Sequence, residues 1–219
     1  MFKPSQTDHS VSVTRGFNMG FGALSRGILA TLGEELLKLV LGNCVPKGKV
    51  GDDAETRREA VNSLGKIIRT FGIRSIGPHM AKEIYETLKK CLDDYEVDRR
   101  GDVGSYVRKV AMLNLKDFLE IVIDAGHQPL IDALGCDKKE FFQEFVALFI
   151  QQLMEKIDQI REVAGRCLQY FFKHVAPKAP EFAEKAQLNE LFMSGIDSPE
   201  HDLKFIDWRE PKFIFKEMR

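Results

Sequence analysis

No apolar run in this chain approaches the roughly 18 residues that a membrane-spanning helix needs. The longest, Phe145 to Ile150, lies between Glu144 and Gln151. The N-terminal Met-Phe-Lys-Pro-Ser-Gln has no apolar stretch of the kind a secretory leader requires. Neither charge sign is in excess. Lys plus Arg number 32 against 33 Asp plus Glu, a net charge of −1, which excludes a strongly basic nucleic-acid face as a whole-chain property. Cys44, Cys91, Cys136 and Cys167 are far apart, and the chain has no Cys-x-x-Cys and no Asn-x-Ser/Thr. The first absence argues against zinc ribbons and redox pairs. Together these absences predict a cytosolic protein with reduced thiols. Nor is there any stretch of six or more residues that alternates with period two, so no strand is required.

What is present is helical periodicity. The chain has 219 residues, 44% of them hydrophobic, enough for one domain or one short array with a sizeable core. From Asp53 to Phe71 the apolar positions are Ala60, Val61, Leu64, Ile67, Ile68 and Phe71, spaced as one stripe of a helix. Similar stripes follow at Met80 to Tyr95, Val107 to Val122, Phe141 to Leu153 and Ile160 to Val175. Breakers separate them: Gly72, Gly77 and Pro78, then Gly101, then Gly126, Pro129 and Gly135, then Pro177 and Pro180. Asp102 suits an N-cap, because its carboxylate can accept orphan backbone N–H groups. Pro78 suits a first helical turn, where its missing donor costs nothing. The pattern predicts seven or eight helices with short connections.

A repeat sets the architecture. Arg57, Arg108 and Arg161 are each followed by Ala three places on (Ala60, Ala111, Ala164) and Leu seven places on (Leu64, Leu115, Leu168). Two bulky apolar residues follow at ten and eleven. The spacings are 51 and 53 residues, and an acid precedes each Arg: Asp53, Asp102 and Asp158. One helix repeated three times, alternating with a second amphipathic helix, predicts an all-α fold, an α-solenoid of HEAT/armadillo-like helical hairpin repeats. The small Ala allows close helix approach, and the Asp and Arg can pair between repeats. Residues 1–12 are expected to be a flexible N-terminal segment, 13–195 the repeat domain, and 196–219 a C-terminal extension that starts a further repeat. Phe17, Phe21, Leu24 and Ile28 have helical spacing, weakened by Gly16, Gly20, Gly22 and Gly27, and read as one imperfect leading hairpin.

Catalytic, metal and cofactor signatures fail on inspection. Gly42 to Lys49 has one residue too many for a phosphate loop and Val50 where Ser or Thr is needed. Gly20-Phe-Gly22 has its third glycine, Gly27, two places late for a dinucleotide fingerprint. Asp94-x-Glu96-x-Asp98 opens like a calcium loop, but Arg99 and Ser105 stand at its glycine and glutamate positions. The five histidines are mutually distant. The cysteines read as small buried hydrophobes, and Arg100-Gly-Asp102 as a turn and a cap. The repeated arginines read first as an inter-repeat ladder, with a partner-binding ridge as the alternative. The phenylalanines of 141–149 read as core, with a partner groove as the alternative.

The string Asp98-Arg-Arg-Gly-Asp-Val-Gly-Ser-Tyr-Val-Arg-Lys-Val-Ala-Met112 resembles the DxRGDVGxWVRxxAM pattern in the C-terminal region of the tubulin-folding cofactor D family. Tyr106 stands where that family has Trp. Arg15-Gly16-Phe17 with Gly22-Ala-Leu24 resembles its RRGF…LGALP stretch, with Ser25 in place of Pro. Glu155-Lys-Ile-Asp158-x-Ile-Arg161 resembles its EKIDRxRxxA segment, Asn189-Glu-Leu-Phe192 its ELxxLF segment, and Trp208 before Glu210-Pro211 its tryptophan-and-proline segment. These run in order over nearly the whole chain. The family protein is several-fold longer, so the chain is expected to be a piece that ends inside the next repeat. The resemblance implies a HEAT-type chaperone with no catalytic site or cofactor of its own. It implies β-tubulin, tubulin cofactors A, C and E and a small Arf-like GTPase as partners, stimulation of GTP hydrolysis by tubulin, and a place in the cytoplasm with the microtubule cytoskeleton. Asp98, Arg100, Asp102 and Arg108 are the expected partner-binding group. A generic scaffold for another cytosolic complex is the competing reading. A cryptic enzyme lacks the convergent polar residues it would need.

Overall fold

A computed structural model describes residues 11–47, 53–124, 126, 128–178 and 207–212. Among them the fold is all-α, of the helical-hairpin repeat class that the periodicity predicts. Helix α1 spans Val11–Phe21 and α2 Arg26–Cys44. Then come α3 Ala54–Phe71, the short α4 Ile73–Ile76 and α5 Pro78–Cys91. A small hairpin of β1 (Val97–Asp98) and β2 (Gly101–Asp102) leads into α6 Ser105–Asp124. Helices α7 Gln128–Leu134, α8 Lys138–Leu153 and α9 Asp158–Tyr170 follow, and α9 continues as a π turn, Phe171–Val175, and a 3₁₀ turn, Ala176–Lys178.

The starts and stops have local causes. Asp53 caps α3, its carboxylate accepting from the N–H groups of Glu55 and Thr56 at 3.0 Å each. Gly72, at φ 83°, ends α3 in a conformation that costs a residue with a Cβ far more. Pro78 occupies the first turn of α5, and the Asp102 carboxylate accepts from the N–H of Ser105 at 2.9 Å. Asp137 and Glu140 close a reciprocal capping box on α8. The leading hairpin forms despite its glycines because Asn18, fully buried, ties α1 to two other elements. Its Nδ2 donates to the carbonyl of Thr56 at 3.1 Å, and its Oδ1 accepts from Asn43 at 2.9 Å. Gly33 (φ 51°, ψ −135°) breaks the regular geometry of α2.

The hairpin at 97–102 departs from the expectation that no strand is needed. Val97 pairs with Asp102 and Asp98 with Gly101, antiparallel. The Asp98 carboxylate accepts from the Arg100 N–H at 2.7 Å, and Gly101 takes φ 103°. An Asx turn and one glycine thus suffice to close a hairpin too short to show a period of two.

The chain divides into two compact units, Met1–Phe118 and Leu119–Arg219, the division falling within α6. Residues 179–206, which include the expected limit of the repeat domain at 195, lie outside the described residues. So does the expected N-terminal segment up to residue 10; residues 11 and 12 belong to α1. In the first unit Val61, Leu64, Ile67, Ile84, Leu88, Val107 and Leu115 are buried. The second has an aromatic core in which the Phe145 ring lies 4.6 Å from Phe149 and 5.5 Å from Phe171, centroid to centroid. The phenylalanines of 141–149 are accordingly core. All nine repeat positions are buried: Arg57, Ala60 and Leu64; Arg108, Ala111 and Leu115; Arg161, Ala164 and Leu168.

Candidate functional site

The loop between α5 and α6 collects more charged side chains than any other described part of the first unit. Its lower layer is buried. Arg57, on α3 and 2% exposed, donates through Nε to one oxygen of Asp94 at 2.8 Å and through Nη2 to the other at 3.2 Å. The same guanidinium also pairs with Glu96. A planar fork fits a carboxylate in this bidentate way, and a buried pair of this kind needs such geometry to offset its desolvation. Arg108, on α6 and fully buried, donates to the carbonyl of Asp94 at 2.6 Å and to the two oxygens of Asp102 at 3.2 and 2.9 Å. Its guanidinium lies 4.2 Å from the centroid of the Tyr95 ring, within cation–π range. Asp94 is thus gripped by side chain and backbone at once. Gly104 makes room for this, since a Cβ there would overlap the Asp94 carbonyl.

The upper layer faces solvent. Arg100 pairs with Asp98 at 2.7 Å and with Glu55 of α3. Arg15 of α1 reaches Glu55 at 2.7 Å and Asp53 at 3.1 Å. The Arg100 side chain's hydrogen bonds, more than its other interactions, hold the Asp98 carboxyl below the usual range, and the Arg100 guanidinium is correspondingly harder to deprotonate. Burial pushes the Asp53 carboxyl up. The Thr56 hydroxyl and N–H, Arg15 and the Glu55 N–H outweigh it, and the net shift is downward. Beside these pairs Tyr95, Val97 and Tyr106 stand 45%, 69% and 38% exposed, and Arg99 is exposed with them. Aromatic and apolar side chains next to an arginine are what a protein partner contacts.

The structure brings Asp98, Arg100, Asp102 and Arg108 together at the loop-to-helix junction, but at two depths. Asp98 and Arg100 lie at the surface. Asp102 is half-buried, and Arg108 is inside, where no partner can touch it. The acidic run Asp94–Asp98, which opens like a calcium loop, is taken up by Arg57 and Arg100. Two of the thiols, Cys44 and Cys91, are buried. Burial pushes Cys44 up, and pushes Cys91 up to about 12.

The repeated Asp and Arg, expected to pair between neighbouring repeats, do not do so among the described residues; Arg108 meets Asp102, the acid that precedes it in its own repeat. Asp53 instead caps α3 and meets Arg15, while Arg57 reaches forward to Asp94 and Glu96. Among the described residues Arg161 meets carbonyls and no acid. It donates to the carbonyls of Glu155 at 2.9 Å, Lys156 at 2.7 Å, Trp208 at 3.2 Å and Arg209. The Asp158 carboxylate accepts from the N–H of Gln159 at 2.7 Å. All three arginines are buried, so none forms an exposed ridge. What sequence reading missed is Arg15. Arg15 stands 38 residues before Asp53-x-Glu55, and Arg57 stands 37 before Asp94-x-Glu96. That recurring arginine and acid pair was legible as a spacing.

Comparison with known proteins bears chiefly on the C-terminal part of the chain. Residues 143–219 match the family model described as tubulin folding cofactor D C terminal. The chain is similar to a protein of Dictyostelium discoideum named tubulin-specific chaperone D, 26% identical over 76% of this chain. It spans 13% of that relative's length. No solved structure matches it. Both comparisons point to the same family as the resemblance read from the sequence, and the family model covers residues 143–219.

Proposed function

We propose, from the similarity to the C-terminal region of tubulin folding cofactor D, that this chain is a non-catalytic binding module of tubulin folding. It holds β-tubulin in the cytoplasm, close to the microtubule cytoskeleton. With tubulin cofactors A, C and E and a small Arf-like GTPase it takes part in assembling and dismantling the αβ-tubulin heterodimer. Its part in GTP hydrolysis by tubulin is that of a stimulating partner. The observation that carries this reading is the family match over residues 143–219, joined to the 98–112 string. The 95–106 hairpin supports it physically. Two buried arginines and Gly104 fix its base, so that Tyr95, Val97, Arg99 and Tyr106 are presented without the entropy cost of ordering a loop on binding.

A tagged pull-down from cytosol, with bound proteins identified by mass spectrometry, tests this. Recovery of β-tubulin is expected, and its several-fold reduction by Val97→Asp with Arg99→Glu, two exposed changes that leave circular dichroism unaltered. Arg108→Glu, by contrast, should lower the melting temperature, because it buries an anion against Asp102. A well-folded helical sample that recovers neither tubulin nor any cofactor would overturn the reading in favour of a scaffold for another complex.

A further inference from the structure

Residues 207–212 rest on α9 as a small structured ligand would. Asp207 to Glu210 make a closed turn. The Glu210 N–H donates to the carbonyl of Asp207 at 3.0 Å, and the Arg209 N–H to the Asp207 carboxylate at 3.1 Å. Both bonds lie within four residues, so the turn's shape is set by its own sequence. The turn projects Trp208 onto α9, where the indole lies against Gly165 so closely that a Cβ there would overlap it. The indole Nε1 donates to the Gln169 side chain at 3.3 Å, and the Arg209 guanidinium pairs with Glu162 at 2.6 Å. Arg161, buried beside them, donates to the carbonyls of Trp208 at 3.2 Å and of Arg209.

Each contact selects a different property of the occupant. The two bonds from Arg161 recognise the backbone of a turn and no side chain. The glycine seat admits a flat ring against the helix backbone. The buried Gln169 amide oxygen requires the donor that an indole carries and a phenyl ring lacks. The charges of the site do not depend on the occupant. Arg161 also holds the carbonyls of Glu155 at 2.9 Å and Lys156 at 2.7 Å, and Glu162 also holds Arg166 at 2.7 Å. Withdrawal of the turn therefore leaves both charges partnered. The first unit is built the opposite way. There Arg57 grips the Asp94 carboxylate itself, and pulling that loop away would strand a buried ion.

We propose that this face of α9 is a docking site for a tryptophan-bearing turn of another polypeptide, of the type acid, tryptophan, arginine, and that residues 207–212 are its resident, exchangeable occupant. A partner that offers such a turn displaces the resident one and is held by the same glycine seat, amide and guanidinium. A turn closed by its own hydrogen bonds arrives preorganised, which keeps the ordering cost of docking low. The inference is independent of the tubulin reading.

Trp208 is the only tryptophan in the chain, so Trp208→Ala removes all indole emission and empties the seat. The end-capped hexapeptide Asp-Trp-Arg-Glu-Pro-Lys, residues 207–212, then carries the sole tryptophan in a titration with the whole chain. Its emission should shift to the blue and saturate with a Kd of about 1 mM or tighter, the range of weak association. Trp208→Ala with Gly165→Ala, whose methyl occupies the seat, should bind about tenfold more weakly or worse, a difference of one decade in Kd, with helix content by circular dichroism retained. Trp208→Phe keeps a ring in the seat, and there the peptide should bind several-fold more weakly than to Trp208→Ala. If Trp208→Ala loses its helical signal, the same titration of Trp208→Phe, with and without Gly165→Ala, decides the matter. A peptide whose emission shows no saturable shift up to about 10 mM, a decade above the expected Kd, or that binds alike with and without the Gly165 methyl, would overturn the proposal.

Discussion

The side chains of Arg57 and Asp94 are each only 2% exposed and are joined by a bidentate pair. Water cannot reach a lone Asp94 carboxylate, whereas Glu96, at 40% side-chain exposure, can turn outward once Arg57 is gone. The cost of Arg57→Leu is therefore set by Asp94, and stranding one half of a buried pair costs about 3–5 kcal/mol. The double variant Arg57→Leu with Asp94→Leu removes the stranded charge and is expected to be more stable than Arg57→Leu alone. Urea denaturation of the wild type, both single variants and the double variant, followed by circular dichroism, checks this. A coupling of about 1–3 kcal/mol is expected. Strict additivity would mean that the pair, despite its bidentate geometry, does not act as a unit. Composition and spacing made the arginine legible as a repeat position. They did not reveal its partner, because Asp94 sits in a loop with no periodicity, and the acid nearer in sequence, Asp53, is drawn off by the start of α3 and by Arg15.

At the level of elements, the stripes between Asp53 and Val175 were legible because burial on one helix face imposes a period that needs no tertiary information. Where packing overrides local preference the pattern faded. The weak helix α1 is held by a buried asparagine, and the 97–102 hairpin by one Asx turn. Residues 207–212 are the plainest case. Trp208 lies in no stripe, yet it is 6% exposed, its indole seated on Gly165, its Nε1 3.3 Å from the Gln169 side chain and its carbonyl held by Arg161. A segment docked by one aromatic residue, a pair of carbonyls and an ion pair of Arg209 with Glu162 has no period to read. It does have a spectroscopic handle, since Trp208 is the only tryptophan in the chain. Gly165→Ala should leave helix content unchanged or slightly raised, since alanine is the better helix former. It should also eject the indole, seen as a red shift of the emission and easier quenching by iodide. Emission that stays blue-shifted in Gly165→Ala would show that α9 and the segment can separate by a methyl's width without losing the contact.

At the scale of the molecule, what the amino-acid pattern dictates is helical hairpins with a buried arginine recurring at the same place in the repeat. What it leaves open is where a partner touches. Buried positions repeat because every hairpin meets the same packing problem, whereas an exposed hairpin such as 97–102 occurs once and has no internal echo to expose it. Charge distribution narrows the kind of contact. The chain carries 32 basic and 33 acidic residues, and around the 95–106 hairpin nearly every charge has an opposite neighbour: Arg15 with Glu55, Arg100 with Asp98, Arg57 with Asp94. Among the described residues around it little charge is left uncompensated to steer a partner over distance, so the binding proposed above would rest on the short-range fit of Tyr95, Val97 and Tyr106 around Arg99. Electrostatic steering shows itself as an association rate that falls steeply with ionic strength. For tubulin capture on an immobilised chain, the association rate should therefore change less than about threefold between low and physiological salt, where steered pairs lose tenfold or more. The loss caused by Val97→Asp should appear in the dissociation rate. A steep salt dependence of association would instead place the contact on a charged face of the chain and remove the hairpin from the interface.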